Sequence, residues 1–160
     1  MFDLFARVLN ALYIIHLPHS LTHKGVMNAF PIFAMVMLTV VIGAITLKSR
    51  FSSVKSGEVS PKYYKLMDGE DVPEIITKTT RCFNNQFEIP ILFYVVCTLY
   101  ISLGIESLLG VILAWLFVVL RCIHAYIHLT YNHILHRLSA FWLAFLSVIV
   151  LWLNLLANKI

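Results

Sequence analysis

Three side chains of complementary chemistry stand just ahead of an apolar run: Arg81, Asn85 and Glu88. Their i, i+4, i+7 spacing stacks them on one face of a helix over two turns. Ile89-Pro90-Ile91-Leu92-Phe93-Tyr94-Val95-Val96-Cys97 follows at once and has the composition of a membrane segment. A guanidinium clamps a carboxylate bidentately, a carboxylate takes an ammonium or orients an arginine, and an amide bonds a peptide group. The bland alternative is a Glu88–Arg81 ion pair serving as a helix and interface anchor. Groups this polar at membrane depth are costly, however, and as a rule have a task.

A second constellation lies downstream. Arg121, His124 and His128 sit at i, i+3, i+7, again one helical face, and Arg137 follows shortly after. Three arginines, an amide, a carboxylate and imidazoles suit a small, water-soluble, multiply charged ligand. Glutathione, with two carboxylates, an amine and two amides, matches that inventory, and any acidic metabolite fits comparably. A metal ion is the rival for the histidines, since His124 and His128 could share one with Glu88 or His133 as third ligand. Membrane-embedded iron enzymes need more histidine clusters than this chain supplies, so no metal is expected. No Gly-rich phosphate loop and no Ser-His-Asp constellation stands out.

The elements that must carry these residues are membrane helices. Of 160 residues, 60% are apolar and only 12% charged, against about 25% charged in soluble domains. With a mean hydropathy of +0.85, this composition is that of an integral membrane protein. The net charge of +4 is small, and six of the twelve Lys and Arg sit in one loop, which argues topology rather than nucleic-acid binding. Cys82, Cys97 and Cys122 lie in or beside apolar helices with no CxxC pairing and read as free thiols.

Residues 1–24 form a candidate amphipathic segment at the interface, with Phe2, Phe5, Leu9 and Leu12 at helical spacing and Asp3, Arg7 and Asn10 between them. His16, His19 and His23 could share a helical face, but Pro18 interrupts it. Residues 25–160 then make one four-span membrane domain, with spans at about 26–47, 74–103, 108–129 and 138–157. Lys48 and Arg50 close the first span as interfacial anchors, and 48–80 is the one long polar segment. Asp71-Val72-Pro73-Glu74 reads as a helix start with Asp71 at the N-cap. That helix is expected to run to about Ile101, kinked at Pro90. The expected fold class is an all-α, up-down four-helix transmembrane bundle.

Arg-x-x-x-Asn-x-x-Glu-x-Pro at 81–90 and the later Arg-x-x-His…Arg at 121–137 resemble the MAPEG family, the membrane-associated proteins of eicosanoid and glutathione metabolism, in a bacterial-type branch. The resemblance covers roughly residues 26–157. It implies a homotrimer in a bacterial inner membrane, with glutathione as co-substrate between adjacent subunits near the cytoplasmic side. Arg81, Asn85 and Glu88 would contact glutathione, Arg121 and His124 would line or brace the third-helix wall, and Arg137 would stabilise the thiolate. Arg50 or Lys48 would reach a glutathione carboxylate from the end of the first span. The chain departs from the family's eicosanoid enzymes in carrying His128 for a tyrosine, Asn84 for an arginine, Leu138 for a serine and Phe141 for a tyrosine. Those changes argue against prostaglandin synthesis. Two readings follow. One is a glutathione-dependent transferase or peroxidase acting on lipophilic electrophiles from the bilayer. The other is a non-catalytic MAPEG-fold protein that binds a small acidic ligand or a protein partner.

Charge sets the expected orientation. The segment between the first two spans carries Lys48, Arg50, Lys55, Lys62, Lys65 and Lys78, and Arg137 joins that side; the other side offers Arg7, Lys24 and Lys159. By the positive-inside rule the 48–80 loop is cytoplasmic and both termini lie outside. A cysteine placed beside Lys62 should therefore resist an impermeant maleimide in intact cells and react after lysis. Labelling in intact cells overturns the orientation.

Overall fold

The computed structural model describes residues 26–67 and 72–159, so the segment at 1–24, its histidines and Asp71 lie outside the described residues. Helices and their connections account for the described chain, and no strand occurs among the described residues. Helix α1, Val26–Lys55, runs two turns beyond the expected end at Leu47, because no breaker arrives before Gly57 at φ 78°. A short helix α2, Tyr63–Leu66, follows, and its Tyr64 hydroxyl meets Ser53 Oγ at 2.8 Å.

Helix α3, Glu74–Asn84, has Pro73 at its N-cap with no side-chain cap bond, in place of the Asp71 cap expected from sequence. Glu74 instead pairs within the first turns with Lys78 at 2.8 Å, which suits the positive helix start. Ile76, Thr79 and Cys82 form its buried stripe, and α1 lies against it. The contact is apolar where Ile42 meets Cys82 and Phe83, and polar one turn further along. Thr46 Oγ1 donates to the Thr79 carbonyl at 3.1 Å, Ser49 Oγ meets Thr79 Oγ1 at 3.0 Å, and Arg50 Nη2 donates to Thr80 Oγ1 at 3.2 Å. Hydroxyls that also bond their own helix's carbonyls can sit among apolar helices without orphaned groups.

The expected continuous second span is broken. A 3₁₀ turn, Asn85–Phe87, follows α3, Glu88 leaves helical geometry at φ −95° and ψ −100°, and α4 starts afresh as Ile89–Ser102. Pro90 has no N–H for the Gln86 carbonyl, its ring clashes with that carbonyl, and it disfavours α geometry in the residue before it. The disruption therefore falls one turn upstream of the proline rather than as a kink at it. At 14 residues α4 is about 21 Å long, short of a hydrocarbon core of about 30 Å. Among the described residues, three single helices are long and apolar enough to cross a membrane: 29–55, 108–129 and 134–157.

Helix α5 is Leu108–Leu129, N-capped by Ser107, whose hydroxyl accepts from the Gly110 N–H at 3.0 Å. Helix α6, Ile134–Lys159, starts four residues before the expected 138. Asn132 takes the left-handed conformation at φ 49° and donates its N–H to the Ile127 carbonyl at 2.8 Å, closing the connection at once. Arg137 is thereby in the first turn of α6 and not in a loop.

The core lies between α4, α5 and α6, with Ala34 and Met35 of α1 packed into it. Phe93 stacks on Phe117 with ring centroids 4.4 Å apart, and Ala114, Ala144 and Val148 let the helices approach closely. At the end remote from the polar cluster, Asn154 Oδ1 accepts from Tyr100 at 2.6 Å and from Ser107 at 2.7 Å, tying all three helices. Leu108, Ile112, Leu116, Val119 and Ile123 form an exposed stripe on α5, the surface an acyl environment covers. Phe117→Ala should lower stability by about 3 kcal/mol through the lost stack and the cavity left behind, measured by denaturant-driven unfolding in detergent.

A cationic cleft at the helix break

The break between α3 and α4, the last two turns of α5 and the first two of α6 enclose a cleft of about 380 Å³, within the range of small-molecule sites. Arg81, Asn84, Asn85 and Glu88 form one wall, His124 and His128 a second, and Ile134, Arg137, Leu138 and Phe141 the third. Six of the residues singled out from sequence thus meet here: Arg81, Asn85, Glu88, His124, His128 and Arg137.

The first wall owes its shape to the broken helix. With its amide nitrogen turned to Glu88, Asn85 donates to both carboxylate oxygens at 3.2 Å, an orientation assigned from the bonding pattern. The Glu88–Arg81 pair does not form: among the described residues no carboxylate lies within 4 Å of the Arg81 guanidinium. Arg81, Asn84 and Glu88 are all exposed at the side of the bundle.

On the opposite wall Arg137 is held from two sides. Its Nη1 donates to Asn132 Oδ1 at 2.8 Å and faces His128 Nε2 at 3.5 Å. His124 Nδ1 bonds the Arg137 carbonyl at 3.1 Å; a carbonyl only accepts, so the His124 proton sits on Nδ1. Lys78 Nζ reaches the Thr130 carbonyl at 3.4 Å and ties α3 to the end of α5.

Two predicted site residues lie elsewhere. Arg121 is fully enclosed and lies behind the cleft, donating from Nη2 to the Asn85 carbonyl at 2.6 Å. Arg50 belongs to the α1–α3 contact through Thr80 and lies over the Tyr64 ring at 5.7 Å. The His124 and His128 rings are edge-to-face at 5.9 Å, and among the described residues no three His, Cys, Asp or Glu side chains converge as a metal centre requires. Sequence reasoning missed Asn132 and the apolar side of the cleft. An Asn just before a helix start signals a left-handed turn, whereas Ile134, Leu138 and Phe141 at i, i+4, i+7 resemble any lipid-facing stripe.

Arg81 and Arg137 outnumber Glu88 among the charged side chains of the lining, with the Arg121 cation behind them, so the cleft attracts anions. An apolar protein whose described residues form helices, three of them able to cross a membrane, belongs among the integral membrane proteins. The MAPEG family model matches residues 28–157, most of the chain, and the chain belongs to the MAPEG family. Comparison with curated proteins gave no match, and comparison with solved structures gave none either.

Asn132 is both the left-handed residue of the turn and the acceptor for Arg137. Asn132→Leu should destabilise by about 1 kcal/mol more than Asn132→Gly, because leucine keeps a Cβ at positive φ and glycine removes it. Thermal unfolding of the two variants in one detergent checks this.

Proposed function

We propose that the protein is a glutathione-dependent transferase or peroxidase acting on lipophilic electrophiles that enter from the bilayer. The observation that carries this reading is Arg137, a guanidinium fixed by Asn132 at the wall of a cleft whose other side presents Arg81, Asn85 and Glu88. In this reading Arg81 takes a glutathione carboxylate, Glu88 the ammonium and Asn85 a peptide group, while the sulfur lies against Arg137. His128 occupies the place of the family's tyrosine and steadies the Arg137 side chain. Ile134, Leu138 and Phe141 give the electrophile a hydrocarbon wall.

A free thiol has a pKa of about 8.5, so only a few per cent is thiolate at neutral pH. A fixed cation beside the sulfur favours the anion and lowers that pKa; a drop of about two units corresponds to about 3 kcal/mol. The thiolate then attacks the electrophilic carbon, a C–S bond forms, and the leaving group departs with its electron pair.

The same reading places four membrane crossings in each subunit, the broken α3–α4 unit serving as the second, with the cleft near the cytoplasmic side. It also assembles the protein as a homotrimer. Exposed Arg81 and Glu88 beside the apolar face of Ile91, Leu92 and Val95 support this, since a lone bundle leaves charge facing lipid. In the trimer a neighbour's Arg50 or Lys48 would reach the second carboxylate.

One feature favours the second reading, a family member that binds an acidic ligand or a partner without catalysis. Leu138 and Phe141 put hydrocarbon on the wall that carries Arg137, with no hydroxyl there to protonate a leaving group.

Three substitutions at two positions test the enzyme reading. Arg81→Ala should weaken glutathione binding by about 2–5 kcal/mol while trimer yield stays unchanged, as when one member of a buried charged contact is truncated. Titration calorimetry and sedimentation on the same sample read the two quantities. Arg137→Leu should abolish the ultraviolet thiolate band of bound glutathione at neutral pH and regain some activity only in alkali, where thiol ionises unaided. Arg137→Lys should bind glutathione yet form less thiolate, an ammonium being a poorer directional donor. Glutathione bound but un-ionised by the wild type, with no turnover of a generic electrophile, selects the second reading.

A further inference from the structure

Arg121 is the largest side chain that the fold encloses completely, at 0% exposure. Its Nη2 donates to the Asn85 carbonyl, while Nε and Nη1 meet no protein acceptor. A guanidinium has donors only, so these N–H groups need acceptors. One turn along the same face of α5, His124 is 2% exposed and uses its Nδ1 proton on the Arg137 carbonyl. Its Nε2 is therefore an acceptor, and no protein donor reaches it. Gln86, 1% exposed in the 3₁₀ turn, donates Nε2 to the Cys82 carbonyl at 3.2 Å and leaves Oε1 without a protein donor.

The unmatched atoms are complementary, with donors on Arg121 and acceptors on Gln86 and His124. Leaving buried polar atoms unbonded is costly, and native proteins satisfy such groups with enclosed water that makes two to four bonds. The two residues that Arg121 and His124 do bond are the ones that face each other across the cleft, Asn85 on the broken helix and Arg137 on α6. Neither bond goes to a side chain; both go to main-chain carbonyls and so set backbone position.

We propose that Arg121 is a positioning residue and not a ligand contact. It fixes the Asn85 carbonyl at the helix break, and enclosed water bridging its remaining N–H groups to His124 Nε2 and Gln86 Oε1 ties that rim to Arg137. The arrangement belongs to the unliganded protein; only its consequence for ligand binding rests on the glutathione reading. Removing the fork frees the 3₁₀ turn, so the ligand is lost through a misplaced wall and not through a missing contact.

The test uses the full-length protein in nanodiscs, with three measurements. Imidazole nitrogen NMR of the unliganded wild type should show His124 protonated on Nδ1 with a hydrogen-bonded Nε2. Hydrogen exchange of residues 85–91 in Arg121→Met should be faster by at least about tenfold, since local opening loses its clamp. Glutathione affinity of that variant should fall roughly tenfold or more, as displacement of a positioning element does. Arg121→Lys, which keeps one donor of the fork, should give intermediate exchange, and carries the test should Arg121→Met not fold. Weaker glutathione binding with unchanged exchange at 85–91 makes Arg121 a direct contact and overturns the proposal. So does a wild-type His124 protonated on Nε2. If the wild type binds no glutathione, exchange and tautomer still decide this inference, and only the functional reading falls.

Discussion

Pro90 cannot donate a hydrogen bond to residue 86, and most of what distinguishes this molecule depends on that missing N–H. Without it, α3 and α4 would be one rod, with the carbonyls of the 85–88 turn locked in intrahelical bonds. With it, the chain passes through a 3₁₀ turn and a non-helical Glu88 before α4 begins. The Asn85 carbonyl is left able to accept from Arg121, and the Asn85 and Glu88 side chains can face one another. Irregular backbone at membrane depth persists only where it lies against protein or lines a polar cavity. Here it does both.

The opposite wall is built by a different device toward the same end. The connection from α5 to α6 spans only 130–133, and the left-handed Asn132 completes it. A tight turn between two long helices fixes both their register and the position of the first α6 turn, where Arg137 stands. Two short irregularities, one forced by a proline and one tolerated by an asparagine, thus aim the charged groups, while regular helices provide the stiffness. The polar seam of Thr46, Ser49 and Thr79 keeps α1 pressed on α3, so the wall bearing Arg81 has a firm back.

Much of this was legible in the sequence, for identifiable reasons. Helix α5 is expected at 108–129 and occurs there, because an apolar run whose one permanent charge is Arg121, bounded by Ser107 and a polar turn, admits little else. The convergence of 81–88 with 121–137 was readable from side-chain spacing, since i, i+3, i+4 and i+7 survive whatever the bundle does. What failed was backbone detail. The kink at Pro90 became a break upstream, because a proline's clash falls on the residue four before it. The α3 cap went to Pro73, and α6 began early because the turn closed through Asn132, a long-range consequence of where α5 ends. The resemblance leaves open whether Arg121 lines or braces the third-helix wall, and its helical face does not decide it; periodicity reports which side a residue is on, not how deep it lies. The resemblance sends Arg50 or Lys48 to a glutathione carboxylate, and within one subunit the partner of Arg50 is Thr80.

The shortness of the 130–133 connection also bears on biogenesis. Two apolar helices joined so tightly form a helical hairpin, and they pack extensively on one another along their length. Such a pair can partition from the translocon as one body, with His124 already bonded to the α6 backbone at the Arg137 carbonyl. The His124 imidazole then enters with a partner already in place, and the Asn85 carbonyl, earlier in the chain, has emerged before its donor Arg121 is made.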